Sequence, residues 1–208
     1  TREIAKAIGQ ELTRGTLKTC ADCAKGKAKQ KNLPKLPKIG ESAVDEGQVH
    51  LDLSKVLVPA ELKFKARNPN WLIVVDEKTG LKTSRFFSSK NGMVEPTCEM
   101  FQLWKSLGRS VKIVRCDNAG ENLLLEKTAN SRDWKLGIVF EYTGRDTPQR
   151  NAIAEVGFAT IMARVRAMMS AANLTLEVRY RVVNECILMA TLLDGLTVIK
   201  VEGKKATR

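Results

Sequence analysis

The chain has 208 residues, enough for one core of about 100 to 150 residues with appendages, and its 43% hydrophobic and 28% charged composition excludes wholesale disorder and collagen-like repeats. A formal net charge of +12 points to a polyanionic partner, because Lys and Arg gain affinity by displacing counterions from phosphates. No apolar run approaches the roughly 20 residues that span a bilayer, and the first residues lack the apolar stretch of a secretory signal, so a nuclear or cytoplasmic protein with no membrane partner is expected.

Ile4 to Leu12 has helical apolar spacing that stops at Gly15, and Cys20-Ala21-Asp22-Cys23 follows. Residues 1–40 hold ten Lys or Arg against Glu3, Glu11 and Asp22, a net of +7. Such a basic stripe is the electrostatic footprint of nucleic-acid contact, with a solvated tail as the plainer reading. Pro34 and Pro37 block a regular helix, so residues 26–42 read as an extended linker. Cys98, Cys116 and Cys186 sit in apolar surroundings, which fits reduced thiols better than a disulfide framework.

The core starts near Glu46. Val49, Leu51 and Leu53 alternate with His50, Asp52 and Ser54, the pattern of a strand with Asp52 on the face opposite the apolar residues. Trp71 to Val75 is continuously apolar, as in a strand covered on both faces. Glu77-Lys78-Thr79-Gly80 reads as a hairpin turn into Leu81 to Phe87. A helix is expected over Glu95 to Leu107, then a strand over Val111 to Cys116 that ends on Asp117, and another over Ile138 to Tyr142. From about Asn151 to Ala172 a long helix carries Ala154, Phe158, Ile161, Met162, Val165, Met168 and Met169 as one stripe, and Glu177 to Leu193 reads as a further helix. This order predicts an α/β domain with a mixed sheet and helices on both faces.

Asp52, Asp117 and Glu155 therefore stand at the tips of regular elements in the order Asp, Asp, Glu. Each alone also fits a plain role: Asp52 as a solvent-facing strand residue, Asp117 in a strand-ending turn, Glu155 as favourable first-turn charge. Together they suit magnesium-dependent phosphoryl transfer, in which hard oxygen ligands hold metal ions that clamp the attacking and leaving oxygens. His50, two residues before Asp52, could order a metal-bound water or make a structural hydrogen bond.

The blocks Asp117-Asn118-Ala119-Gly120-Glu121 and Thr147-Pro148-Gln149-Arg150-Asn151-Ala152-Ile153-Ala154-Glu155 are specific together, with 37 residues between Asp117 and Glu155. With Cys20-Ala21-Asp22-Cys23, His50-Leu51-Asp52, Asp76 and Gly203-Lys204-Lys205, the chain resembles the integrases of copia-type retrotransposons, members of the retroviral integrase group with a ribonuclease H-like fold. The resemblance covers nearly the whole sequence. It implies Asp52, Asp117 and Glu155 as ligands of Mg²⁺ or Mn²⁺, DNA ends and target DNA as partners, and a homo-oligomer in the full-length protein. It further implies two reactions at one site, trimming of 3′ ends and attack of the freed 3′-hydroxyl on a target phosphodiester. Residues 1–42 then correspond to a truncated zinc module and basic linker, 43–176 to the catalytic core, and 177–208 to a helix and tail continuing it.

Two features depart from that pattern. The family's zinc module uses two histidines upstream of two cysteines, but this chain starts at Thr1 and has only His50, so Cys20 and Cys23 read as a half-site of a fragment and no Zn²⁺ is expected. Val156, Gly157 and Phe158 replace the basic or polar residues that relatives often carry after the Glu, which moves the expected phosphate contacts to Arg145, Gln149, Arg150, Asn151 and Arg166. Besides an integrase core, the alternatives are a catalytically silent nucleic-acid-binding domain derived from such an element and a ribonuclease H-type nuclease.

Overall fold

The computed structural model describes residues 21–22, 47–62, 66–143, 151–201 and 204–207. The helix expected at 4–12, the Cys20 and Cys23 pair, the linker at 26–42, and Arg145, Gln149 and Arg150 lie outside them. Five strands form one sheet: β1 (Gln48–Lys55), β2 (Asn70–Asp76), β3 (Lys82–Phe87), β4 (Ile113–Asp117) and β5 (Val139–Thr143), in the spatial order β3-β2-β1-β4-β5. β1–β2 and β2–β3 pair antiparallel, whereas β1–β4 and β4–β5 pair parallel. This is the mixed sheet that the sequence predicts.

Five α-helices accompany it among the described residues: α1 (Val94–Ser106), α2 (Gly120–Ala129), α3 (Ala152–Ala171), α4 (Leu176–Arg181) and α5 (Val183–Gly195). The two-residue period of β1 and β2 separates two cores. Val49, Leu51, Leu72 and Val74 pack with Cys98, Phe101 and Leu125 beneath α1 and α2, and Trp71, Ile73 and Val75 pack with Ala154, Ile161, Val165 and Ile187 beneath α3 and α5. Each fully buried Leu, Ile or Phe contributes roughly 1.5–3 kcal/mol, so β2, buried on both faces, anchors both layers.

The β2–β3 hairpin closes as expected. Gly80 takes φ +67°, a left-handed conformation that glycine adopts without penalty, and the Asp76 Oδ1 accepts from the Thr79 N–H and hydroxyl, both at 2.7 Å. Asp76, one of the residues of the resemblance, thus has a turn-forming role.

The segment 177–193, expected as one helix, is two. α4 and α5 part at Val182 (φ −107°, ψ 11°). α5 buries Val183, Ile187, Ala190, Thr191 and Asp194, but one turn back along that stripe stands Arg179, whose Nε donates to the Leu174 carbonyl at 2.8 Å. A guanidinium at that position cannot continue an apolar stripe, and α4 buries none of its residues. Beyond α5, β6 (Val198–Val201) and β7 (Lys204–Thr207) form a separate antiparallel pair where the sequence pattern predicts only a tail.

α5 is fixed to the sheet by polar contacts as well as by its stripe. The Ser84 hydroxyl of β3 links the Trp71 Nε1–H (3.0 Å) to the Thr191 hydroxyl (2.8 Å). The buried Asp194 carboxylate accepts from Lys82 of β3 and Arg164 of α3, both at 2.8 Å, so one anion ties three elements together.

Candidate functional site

Asp52 lies on the face of β1 that α3 covers, because it pairs across the sheet with Ile73, whose side chain belongs to the α3–α5 core. β1 and β4 run parallel and pair His50 with Arg115. Two residues further along each strand stand Asp52 and Asp117, and an even step keeps both on the same face. Asp117 is the last residue of β4, at the carboxyl end of the parallel strands, where open α/β sheets leave a crevice for ligands. The third acid, Glu155, is exposed in the first turn of α3.

Burial pushes the Asp52 carboxyl up to about 6, the Leu53 N–H donating to Oδ1 at 2.8 Å works against this, and the charges of Asp117 and Glu155 raise it further. The three acids thus share one electrostatic neighbourhood. They do not close into a cage: among the described residues, no three His, Cys, Asp or Glu side chains gather as a group that could hold a metal ion. In donor chemistry the set still fits a hard cation, since carboxylate oxygens are what Mg²⁺ prefers and it needs only one or two of them.

Asn122 fixes Asp117. It is buried in the first turn of α2, and its Nδ2 donates to the Asp117 carbonyl at 3.1 Å and to Oδ1 at 2.6 Å. Asn122 follows directly on the Asp-Asn-Ala-Gly-Glu block, yet that block alone gives it no role. Its signal in the sequence is the spacing, because a polar residue five positions after a strand-ending Asp falls in the first turn of the next helix.

Lys90, in the β3–α1 connection, belongs to no sequence motif. Its Nζ lies 2.6 Å from Glu121 Oε1, and its charge favours the ionised form of Asp52. Its ammonium is held above its usual range first by the hydrogen bond to Glu121, with Asp117 and Asp52 adding to the effect. Burial alone would push Glu121 up, but the bond from Lys90 brings it below the usual carboxylate range.

His50 resolves toward the structural alternative. It is buried, and its Nε2 lies 3.0 Å from the Glu77 carboxylate, which can only accept. Burial holds the imidazole below its ordinary range against the pull of Glu77. Asn151, buried just ahead of α3, also favours the protonated ring, but the His50 Nδ1 and Asn151 Oδ1 lack hydrogen-bond partners among the described residues. Arg166 is half-buried on α3, eleven residues beyond Glu155 and about 16 Å along the helix axis at 1.5 Å per residue.

The residues after Glu155 are explained by packing. A Cβ on Gly157 would come within 3.0 Å of Ile73 Cδ1 and 3.1 Å of Val75 Cγ2, so glycine lets α3 lie close on β2. Phe158 meets Trp71 edge-on at 4.6 Å between ring centroids, a favoured aromatic geometry. The start of α3 thus seats against the sheet through Gly157 and Phe158.

No protein-family model matches the sequence, and no curated protein does. Among solved structures, the chain is similar to the catalytic core domain of BIV integrase, with a TM-score of 0.49 and 14% identity over 77% of this chain and 91% of that one.

Proposed function

We propose that this chain is the catalytic core of a copia-type retrotransposon integrase, which trims the 3′ ends of element DNA and joins the freed 3′-hydroxyl to a target phosphodiester. The observation that carries this reading is the shared neighbourhood of Asp52, Asp117 and Glu155, on adjacent parallel strands and in the first turn of the helix laid over them. The sequence blocks around Asp117 and Glu155 support it independently.

In this reading the three carboxylates hold Mg²⁺ or Mn²⁺, which when bound neutralises charge on the transferring phosphate and on the attacking and leaving oxygens. Asn122 orients Asp117 for that task. Arg145, Gln149, Arg150 and Arg166 are the proposed contacts to DNA phosphates, which position a duplex without reading its sequence, and Asn151, expected among them from the sequence, is buried and stands outside that set. Joining two DNA ends calls for a multimer, in the nucleus or in a cytoplasmic particle. Cys20 and Cys23 are two of the four ligands a structural zinc site needs, and no Zn²⁺ is assigned to them.

A second reading, a catalytically silent DNA-binding domain, is favoured by one observation, that the acids form no three-ligand group among the described residues. A Mg²⁺-dependent strand-transfer assay on oligonucleotide ends separates the two. The wild-type chain is expected to join ends, and Glu155→Gln to lose joining by at least about 100-fold, the scale for removing a group that stabilises transition-state charge, while keeping salt-sensitive DNA binding. DNA binding without joining in the wild type would select the silent domain, and loss of folding in the variant would make Glu155 structural.

A further inference from the structure

Lys90 is a cation whose charge acts on both Asp52 and Asp117, yet it bonds to neither. Its amine is held 2.6 Å from Glu121, a residue in the first turn of α2 and adjacent to Asn122, which orients Asp117. The Glu121 carboxylate is largely covered, with 11% of its side chain exposed, whereas 51% of the Lys90 side chain is open to solvent. A lysine on a flexible surface loop would be free to collapse onto the nearest acids. Here the loop is pinned: Asn70 Nδ2 donates to the Phe87 and Ser88 carbonyls, both at 3.1 Å, the Ser89 hydroxyl accepts from the Gly92 N–H at 3.2 Å, and the Lys90 carbonyl accepts from the Met93 N–H at 3.2 Å.

We infer that Lys90 is a phosphate-contacting residue of this site, held at the rim by Glu121 so that it faces a non-bridging oxygen of a DNA phosphodiester instead of neutralising Asp52 and Asp117. An ammonium has three donors. One is used by Glu121, and the exposed side of the group leaves the others for an anionic oxygen. The tether gives the pair its sense: an untethered lysine beside two carboxylates would block the site it serves, and an arginine-like fork is not needed to meet a single oxygen. This inference rests on the proposed action on DNA.

The test is the salt dependence of binding of the full chain to a short fluorescent DNA duplex, at constant Ca²⁺, for wild type, Lys90→Ala, Lys90→Arg and Glu121→Gln, with thermal midpoints alongside. Each phosphate that a cation no longer neutralises makes the slope of log K against log salt shallower by about 0.9. Lys90→Ala is expected to show about that reduction at an unchanged thermal midpoint, Lys90→Arg to keep the wild-type slope, and Glu121→Gln to fall between them because the amine is no longer held in place. A wild-type slope in Lys90→Ala overturns the inference and leaves the integrase reading standing. Failure of the wild-type chain to bind the duplex at all overturns both.

Discussion

At the scale of single residues, the site's most informative group is Asp52, whose carboxyl titrates near 6 in the folded chain against an ordinary value of 3.8. The folded state therefore holds this proton more tightly than the unfolded state. By linkage, stability is greater below 3.8 and falls as pH rises from there to about 6. Asp52→Asn is expected to raise the thermal midpoint at neutral pH and to flatten that fall, as read from thermal unfolding of wild type and variant across this range. A variant that melts below the wild type at neutral pH would show that the ionised Asp52 is stabilised by contacts stronger than the cost of its burial and its repulsion from Asp117 and Glu155. Asp52 and Asp117 are legible in the sequence because strand periodicity fixes which face an alternate residue occupies. The Lys90 and Glu121 pair is not, since its members lie 31 positions apart and only the folding of α2 beside the β3–α1 connection brings them together.

Among elements, long periodic segments are the readable ones. The α3 stripe appears as expected, and so does β2, buried almost throughout. α2 carries no such signal: it exposes Leu123 and Leu124 and buries Asn122, so its apolar residues do not mark its buried face. The division at Val182 is hidden because residues 177–193 contain no Gly or Pro to mark a break, and the position of Arg179 on the buried stripe is what distinguishes the two pieces. The attachment of α5 draws, beyond its apolar stripe, on the Asp194 anion, its side chain 1% exposed and shared by Lys82 and Arg164. Removing one partner from a buried ion pair leaves an uncompensated charge, so Asp194→Ala is expected to cost about 3–5 kcal/mol, measured as a lower urea midpoint at unchanged slope. A cost below about 1 kcal/mol would place the pair with solvent-screened surface bridges.

For the molecule as a whole, charge is the property the sequence conveys most directly. Residues 1–40 supply +7 of the net +12, so a chain lacking them is expected to bind DNA with a clearly shallower dependence on salt. An equal slope in fluorescence-anisotropy titrations would assign that segment no phosphate contacts. The mixed sheet with helices on both faces is also legible, since strands followed by alternating helices and strands call for parallel pairs whose crossovers cover the sheet, whereas the strand order β3-β2-β1-β4-β5 emerges only in the fold. What composition does not convey is the spacing of the acids, which depends on how closely a helix rests on a sheet.

Ile73 illustrates that dependence. It stands opposite Asp52 across the β1–β2 pairing, and its Cδ1 is where a side chain on Gly157 would strike, two residues beyond Glu155. One aliphatic side chain thus links the strand pairing beneath the first acid to the helix turn that carries the third, so hydrocarbon packing bears on how the charged groups are presented. A variant of this chain that keeps all three carboxylates but changes that one apolar residue would seat the start of α3 differently on β2.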